Sequence, residues 1–182
     1  VHVNSTAFGG GVSEILLRLV PLMRDAGLDT KWKVPQGTDE FFDITKTIHN
    51  ALQGMETPLT EEMKRIYLQR NEMNARLLDL EYDFVVIHDP QPLPIVNYYR
   101  KKVGKWIWRC HIDLSRPNKD FLGFLAPFIE LYDASIFTLK QYVKETLRIK
   151  KLAIIPPSID PLSGKNKPLS KSQILSVLGK FD

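Results

Sequence analysis

The sequence predicts an α/β fold: a Rossmann-like, doubly wound parallel sheet with helices on both faces. Three observations carry that expectation. Short, continuous apolar runs alternate along the chain with segments of helical period, the signature of strands buried on both faces and covered by crossover helices. Polar side chains gather where each apolar run ends, as they do at the ligand-binding edge of an open α/β sheet. The 182 residues, 43% of them hydrophobic and 25% charged, suit a single domain with its own core.

Taken in order, residues 1–4 read as a strand that runs into the turn "AFGGG" at 7–11. Residues 12–26 carry apolar side chains at Val12, Ile15, Leu16, Leu19, Val20 and Met23, which is helical spacing. Pro21 removes one backbone bond and is expected to kink that helix, and Gly27 suits its C-terminal cap. A second strand is expected over 29–34, closed by "PQG". Helices are expected over 41–52 and 60–80, the latter capped by Thr57 or Thr60 with Glu61 and Glu62 in its first turn. Met63, Ile66, Tyr67, Met73, Leu77 and Leu78 give it one broad apolar face, which reads as core. Four more strands follow at 83–89, 106–112, 134–139 and 152–157, with helices at 93–102, 118–131 and 140–149 between them. The tail "PSIDPLSGKNKPLSKSQ" is rich in Pro, Ser and Lys and reads as a linker before a short helical pattern, "SQILSVLGKF". The expected organisation is therefore a Rossmann-like domain over 1–160 and a linker with a short helix over 161–182.

Charge and cysteine content narrow the function classes. Lys and Arg number 25 against 21 Asp and Glu, a scattered excess of +4. The basic clusters "RKK" at 100–102 and "RIKK" at 148–151 sit at expected helix ends, where cations suit the dipole. No basic stripe for nucleic acid and no membrane span is read from the sequence. Cys110 is the single cysteine, so no disulfide can form within the chain. That fits a reducing, cytoplasmic setting, with Cys110 as a small core residue. The first residue already lies in a strand-like run, so the natural N-terminus is expected to lie upstream.

The strand ends supply the candidate chemistry. The first delivers Asn4, Ser5, Thr6 and the glycines; later strands deliver His88 and Asp89, then Arg109, His111 and Asp113, then Thr138, and lastly Ser158 and Asp160. The glycine turn matches neither G-x-G-x-x-G nor a P-loop. Its amides could face an anion or a sugar oxygen, and a tight connection with nothing bound is the open alternative. Asp89 could accept sugar hydroxyls or a proton, or could cap the next helix with Pro90 at its first position. Strand alternation puts Arg109, His111 and Asp113 on one side, which favours a site over a core histidine. No His or Cys spacing suits a metal, and no G-x-S-x-G elbow suits a serine hydrolase. A Rossmann oxidoreductase is disfavoured by the missing fingerprint and by the lack of an acidic residue after the second strand.

In series, "VNSTAFGGGVSEIL", "HDPQP", "WRCHIDLSRPN" and "IIPPSIDPLSGKN" resemble the N-terminal half of retaining GT-B glycosyltransferases of the trehalose-synthesising type, with "TKTIHNALQG" at 45–54 similar to that subgroup. The resemblance covers residues 1–166. It implies two Rossmann-like domains facing a cleft and transfer of glucose from a nucleotide-glucose to glucose with retention, forming trehalose. It implies Gly10 and Gly11 beside the donor's diphosphate and sugar, and Asp89, Gln91 and Arg109 near the acceptor glucose. His111 would stand by the transferred glucose, with His111 and Asp89 as catalytic residues. It implies no cofactor and no metal; the partners would be the two sugar substrates, a C-terminal nucleotide-sugar domain of the same enzyme and a second copy in a homodimer. That C-terminal domain has no counterpart after residue 166, so the chain is expected to be half an enzyme and inactive alone. The competing expectation is a non-catalytic sugar- or nucleotide-binding module.

Overall fold

Apolar runs become strands here where both faces can be covered. In the computed structural model, which describes residues 1–180, six strands form one sheet: β1 (His2–Val3), β2 (Trp32–Lys33), β3 (Phe84–His88), β4 (Lys105–Cys110), β5 (Ala134–Phe137) and β6 (Leu152–Ile154). Their order is β2-β1-β3-β4-β5-β6, and every pair is parallel. The chain steps outward from β1 to β2, then crosses back over β1 to β3. This reversal places the topological switch between β1 and β3, where open α/β sheets keep their ligand crevice. Register brings Val3 beside Ile87 and His88 beside Arg109, so β1, β3 and β4 end on one edge.

Six helices cover the sheet or follow it: α1 (Gly11–Asp25), α2 (Asp39–Leu52), α3 (Glu61–Leu77), α4 (Ile95–Tyr98), α5 (Lys119–Ile129) and α6 (Lys171–Leu178). Local chemistry sets their starts. Thr38, Thr60 and Asn118 each accept a backbone N–H of the first turn, which satisfies donors the helix cannot pair itself. Thr60, not Thr57, caps α3. Helix α1 runs on through Pro21, and Gly27 follows its last turn at φ 88°. Trp108, Tyr67, Tyr132, Phe41, Phe121 and Phe137 are the largest fully buried side chains. Among the described residues, no helix is long and apolar enough to cross a membrane.

Two expected helices differ. The segment 93–102 yields only the four-residue α4, because Pro92 and Pro94 begin it as turns whose carbonyls accept from Ile95 and Asn97. The segment 140–149 yields only a 3₁₀ turn, Lys140–Tyr142. A ten-residue helix is marginal without packing; here Leu147 turns into the core and Lys144 donates to the Ser115 carbonyl instead.

Beyond Ile155 the chain lies on the surface. Arg18–Asp160 (3.2 Å) and Lys165–Glu14 (2.9 Å) ion pairs tie it to α1. Helix α6 begins with a capping box from Ser170 and Gln173 and buries none of its residues. Phe181 and Asp182, the end of the expected 161–182 segment, lie outside the described residues.

Candidate active site

The loop after β3 is held by an unusual number of side chains. Asp89 is the only non-glycine among the described residues at positive φ (60°), a conformation Asp tolerates better than most. Three hydrogen bonds fix it there. Its N–H donates to the Arg109 carbonyl (2.9 Å), its carbonyl accepts from Trp108 Nε1 (3.0 Å), and its Oδ1 accepts the His111 N–H (2.7 Å). The carbonyls that follow are held in the same way. Tyr67 Oη donates to Pro90, Asn71 Nδ2 to Gln91 (3.1 Å) and Tyr132 Oη to Leu93 (2.7 Å). These donors are buried in the core, so the core itself sets the position of the loop.

Asp89 therefore does not cap a helix, since α4 begins only at Ile95. Its carboxyl joins the end of β3 to the residue after β4. Burial pushes that carboxyl up to about 7, against the pull of the His111 N–H and the Arg109 charge. Near neutrality it can donate or accept a hydrogen bond, or exchange a proton.

Three histidines stand in a row across the strand ends. His2 Nδ1 lies 3.0 Å from His88 Nε2, and His88 Nδ1 lies 2.9 Å from His111 Nε2. The His88 and His111 rings are nearly parallel, at 17°. Burial holds His2 and His111 down at about 4, and His88 well below the usual imidazole range. All three are neutral at pH 7. The rings bond in series instead of converging on a point, and among the described residues no group of three His, Cys, Asp or Glu is arranged to hold a metal ion.

The remaining candidates divide. Gln91 lies in the fixed loop, and its Oε1 is buried without a hydrogen-bond partner. Arg109 is 8% exposed and donates from Nη2 to the Ile155 carbonyl (2.7 Å), which ties β4 to the end of β6; its Nη1 is buried and unpartnered. Buried polar atoms without partners cost free energy, so both are groups a ligand could satisfy. Asp113 does not join Arg109 and His111. It is exposed and accepts the Ser115 N–H in a local turn (2.7 Å), because β4 ends at Cys110 and strand alternation stops there. Cys110 is fully buried, and burial holds its thiol up.

The glycine turn is built differently. Gly9 (φ 69°) and Gly10 (φ 154°) adopt backbone that favours glycine, and a Cβ at Gly9, Gly10 or Gly11 would meet nothing. Close packing of protein is thus not what requires them. Phe8 beside them is 79% exposed. Gly10 precedes α1 with no side-chain cap, so the first amides of that helix stay open to a ligand.

Sequence reasoning did not find His2, or His88 as a bridge between rings. The available signal was a histidine inside each of two continuous apolar runs, "VHV" and "VVIHD". Which side chains they meet depends on pairing across 86 and 23 residues.

Comparisons with known proteins place this architecture. The model of the family "Trehalose synthase, N-terminal domain" matches residues 2–144. The chain is 59% identical over its whole length to trehalose synthase of Thermococcus litoralis and covers 44% of that protein. It is 45% identical to trehalose synthase of Rubrobacter xylanophilus, again over its whole length and 45% of the relative. The chain therefore spans less than half the length of these curated relatives. Among solved structures, α,α-trehalose 6-phosphate synthase of Burkholderia multivorans shares the fold at 17% identity, with a TM-score of 0.53 over 76% of this chain and 40% of that one. A parallel sheet in this order, with its strand ends gathered at the β1/β3 switch, and the family match over most of its length make one conclusion plain: the chain belongs to the family of trehalose synthase N-terminal domains.

Proposed function

We propose that this chain is the acceptor-side half of a retaining glycosyltransferase, which transfers glucose from a nucleotide-glucose to a second glucose and so forms trehalose. The observation that carries the reading is the family match over residues 2–144. Its support in the fold is that Asp89, Gln91 and His111 lie on one edge of the sheet, beside the open start of α1. In this reading residues 1–160 form the acceptor-side domain, and 161–182 lead to a nucleotide-sugar domain of the same enzyme. No cofactor takes part; the nucleotide-glucose is a substrate, and the enzyme works in the cytoplasm.

The reaction breaks the bond between the glucose anomeric carbon and the diphosphate oxygen and forms one to the anomeric hydroxyl oxygen of the acceptor. Attack on the face of departure preserves configuration, and the leaving phosphate takes the hydroxyl proton. The protein's share is then positioning and charge stabilisation. Asp89, Gln91 and Arg109 orient the acceptor, with Asp89 held in place by its own backbone bonds. Neutral His111 hydrogen-bonds the transferred sugar, and the amides after Gly10 and Gly11 face the diphosphate.

Calorimetric titration of the chain with glucose and with a nucleoside diphosphate tests binding. Fusing it to the remaining part of the Thermococcus litoralis relative tests turnover. The fusion is expected to make trehalose, and His111→Ala to slow it by about 100-fold or more. Unchanged turnover in that variant would sink the assignment of His111. Ligand binding without turnover in the fusion would favour a non-catalytic sugar- or nucleotide-binding module.

A further inference from the structure

The histidine row imposes a constraint of its own. A neutral imidazole has one N–H and one lone pair, so each ring in a hydrogen-bonded series must donate on one side and accept on the other. If His88 donates from Nδ1 to His111, its Nε2 must accept from His2 Nδ1, and the His111 proton is then on Nδ1. If His111 donates from Nε2, then His88 donates to His2, and His111 Nδ1 is a bare acceptor. Any mixed arrangement sets two N–H groups or two lone pairs face to face at 2.9–3.0 Å, inside a buried row.

We propose that His2 and His88 are positioning residues that set the tautomer of His111, and so decide whether its remaining nitrogen, Nδ1, offers or accepts a hydrogen bond. His2 exerts this control without hydrogen-bonding His111, since His88 stands between them. The surroundings suit the role. Burial, helped at His88 and His111 by the charge of Arg109, keeps protons off the row, so no ring becomes an imidazolium that donates on both sides. The His111 backbone is fixed separately, by its N–H bond to Asp89, which leaves the ring's proton as the free variable. The consequence for a sugar rests on the reading that His111 faces the transferred glucose; the coupling among the rings does not.

Long-range proton–nitrogen spectra of the nitrogen-15-labelled chain at pH 7.5 report which nitrogen of each ring carries the proton. The three rings are expected to share one polarity, with nitrogen–nitrogen couplings across both hydrogen bonds. His2→Phe is expected to shift the His111 nitrogen resonances toward a mixture of tautomers. His2→Asn, whose amide can donate or accept near the former Nδ1, is expected to restore the wild-type pattern. Unchanged His111 resonances in His2→Phe would overturn the proposal, as would mixed polarity or missing couplings in the wild type, a result that requires no variant to fold. In the fusion, His2→Phe is expected to lower kcat by about 10- to 100-fold with KM little changed, and His2→Asn to recover it. A tautomer shift with unchanged turnover would leave the coupling standing and overturn the role given to His111. Absence of the shift defeats the coupling whatever the turnover.

Discussion

Two strand-to-helix connections meet at the same edge of the sheet, and they are built in different ways. The loop 89–94 is fixed by Trp108, Tyr67, Asn71 and Tyr132, which reach out of the core to four of its carbonyls. The turn 6–11 is held only from its own ends: Asn4 Nδ2 donates to the Thr6 carbonyl (2.8 Å) and Ser13 Oγ to that of Gly10 (2.7 Å), while Phe8 is exposed and the glycines have open space where a Cβ would be. The difference teaches where preorganisation is built in. The loop 89–94 is placed by folding, so the Asp89 carboxyl is already ordered, as the proposed acceptor role requires. The other is anchored at its two ends and presents bare glycine backbone between them.

The strongest way to break this comparison is to remove its anchor. Trp108→Ala is expected to cost about 3–5 kcal/mol, since it empties a fully buried site and frees the Asp89 carbonyl. Denaturant unfolding measures it, and a cost under 1 kcal/mol, against that estimate of about 3–5, would mean the core does not hold the loop. Tyr67→Phe keeps the ring and removes one of two donors to the Pro90 carbonyl, which retains the Leu93 N–H (3.2 Å), with an expected loss of about 0.5–1.5 kcal/mol. The same substitution should weaken glucose binding in calorimetry; full stability with full affinity would show that the hydroxyl is dispensable.

Acid sharpens the comparison further. His2 and His111 fall from an ordinary 6.5 to about 4 in the fold. The unfolded chain therefore binds more protons between those values, and stability drops as pH falls from 6.5 to 4. Asp89 has the opposite sign. Its pKa rises from 3.8 to about 7, so it costs stability as pH rises through that window. Asp89→Asn removes the opposing contribution and is expected to steepen the fall of Tm on acidification; a flatter profile would contradict both assignments. The smallest effect belongs to the other connection. Gly9→Ala meets no clash and is expected to cost only the left-handed backbone penalty, about 1 kcal/mol. A loss several times larger would mean the glycine turn is as firmly placed as its neighbour.

Much of this was legible in the residues. Continuous apolar runs such as "FVVIH" and "WIWRC" locate the central strands because burial on both faces leaves no other pattern. Thr60 with Glu61 and Glu62 marks the start of α3 within a residue. Asp89 and His111 stand out because polar groups at strand ends need a reason to be there. What was not legible is long-range. The His2 partner comes from 86 residues away, the Arg109 guanidinium spends a donor on the Ile155 carbonyl, and Leu147 trades a helix for a place in the core. Local pattern carries propensity, whereas these choices are settled by tertiary contacts.

The strand order also bears on how the molecule assembles. Strands β3 to β6 pair in sequence order, each joined to the next by a short crossover. β1 must find β3 across more than 80 residues, with His2 opposite Val86, and closing so long a loop costs more chain entropy before any contact repays it. The expected folding nucleus is therefore the β3–β6 half, with β1 docking late. Since β1 brings His2 and leads into the glycine turn, that side of the edge is the last part of the domain to form, after the side that carries Asp89 and His111. A chain caught before that step would have most of its core and none of its completed crevice.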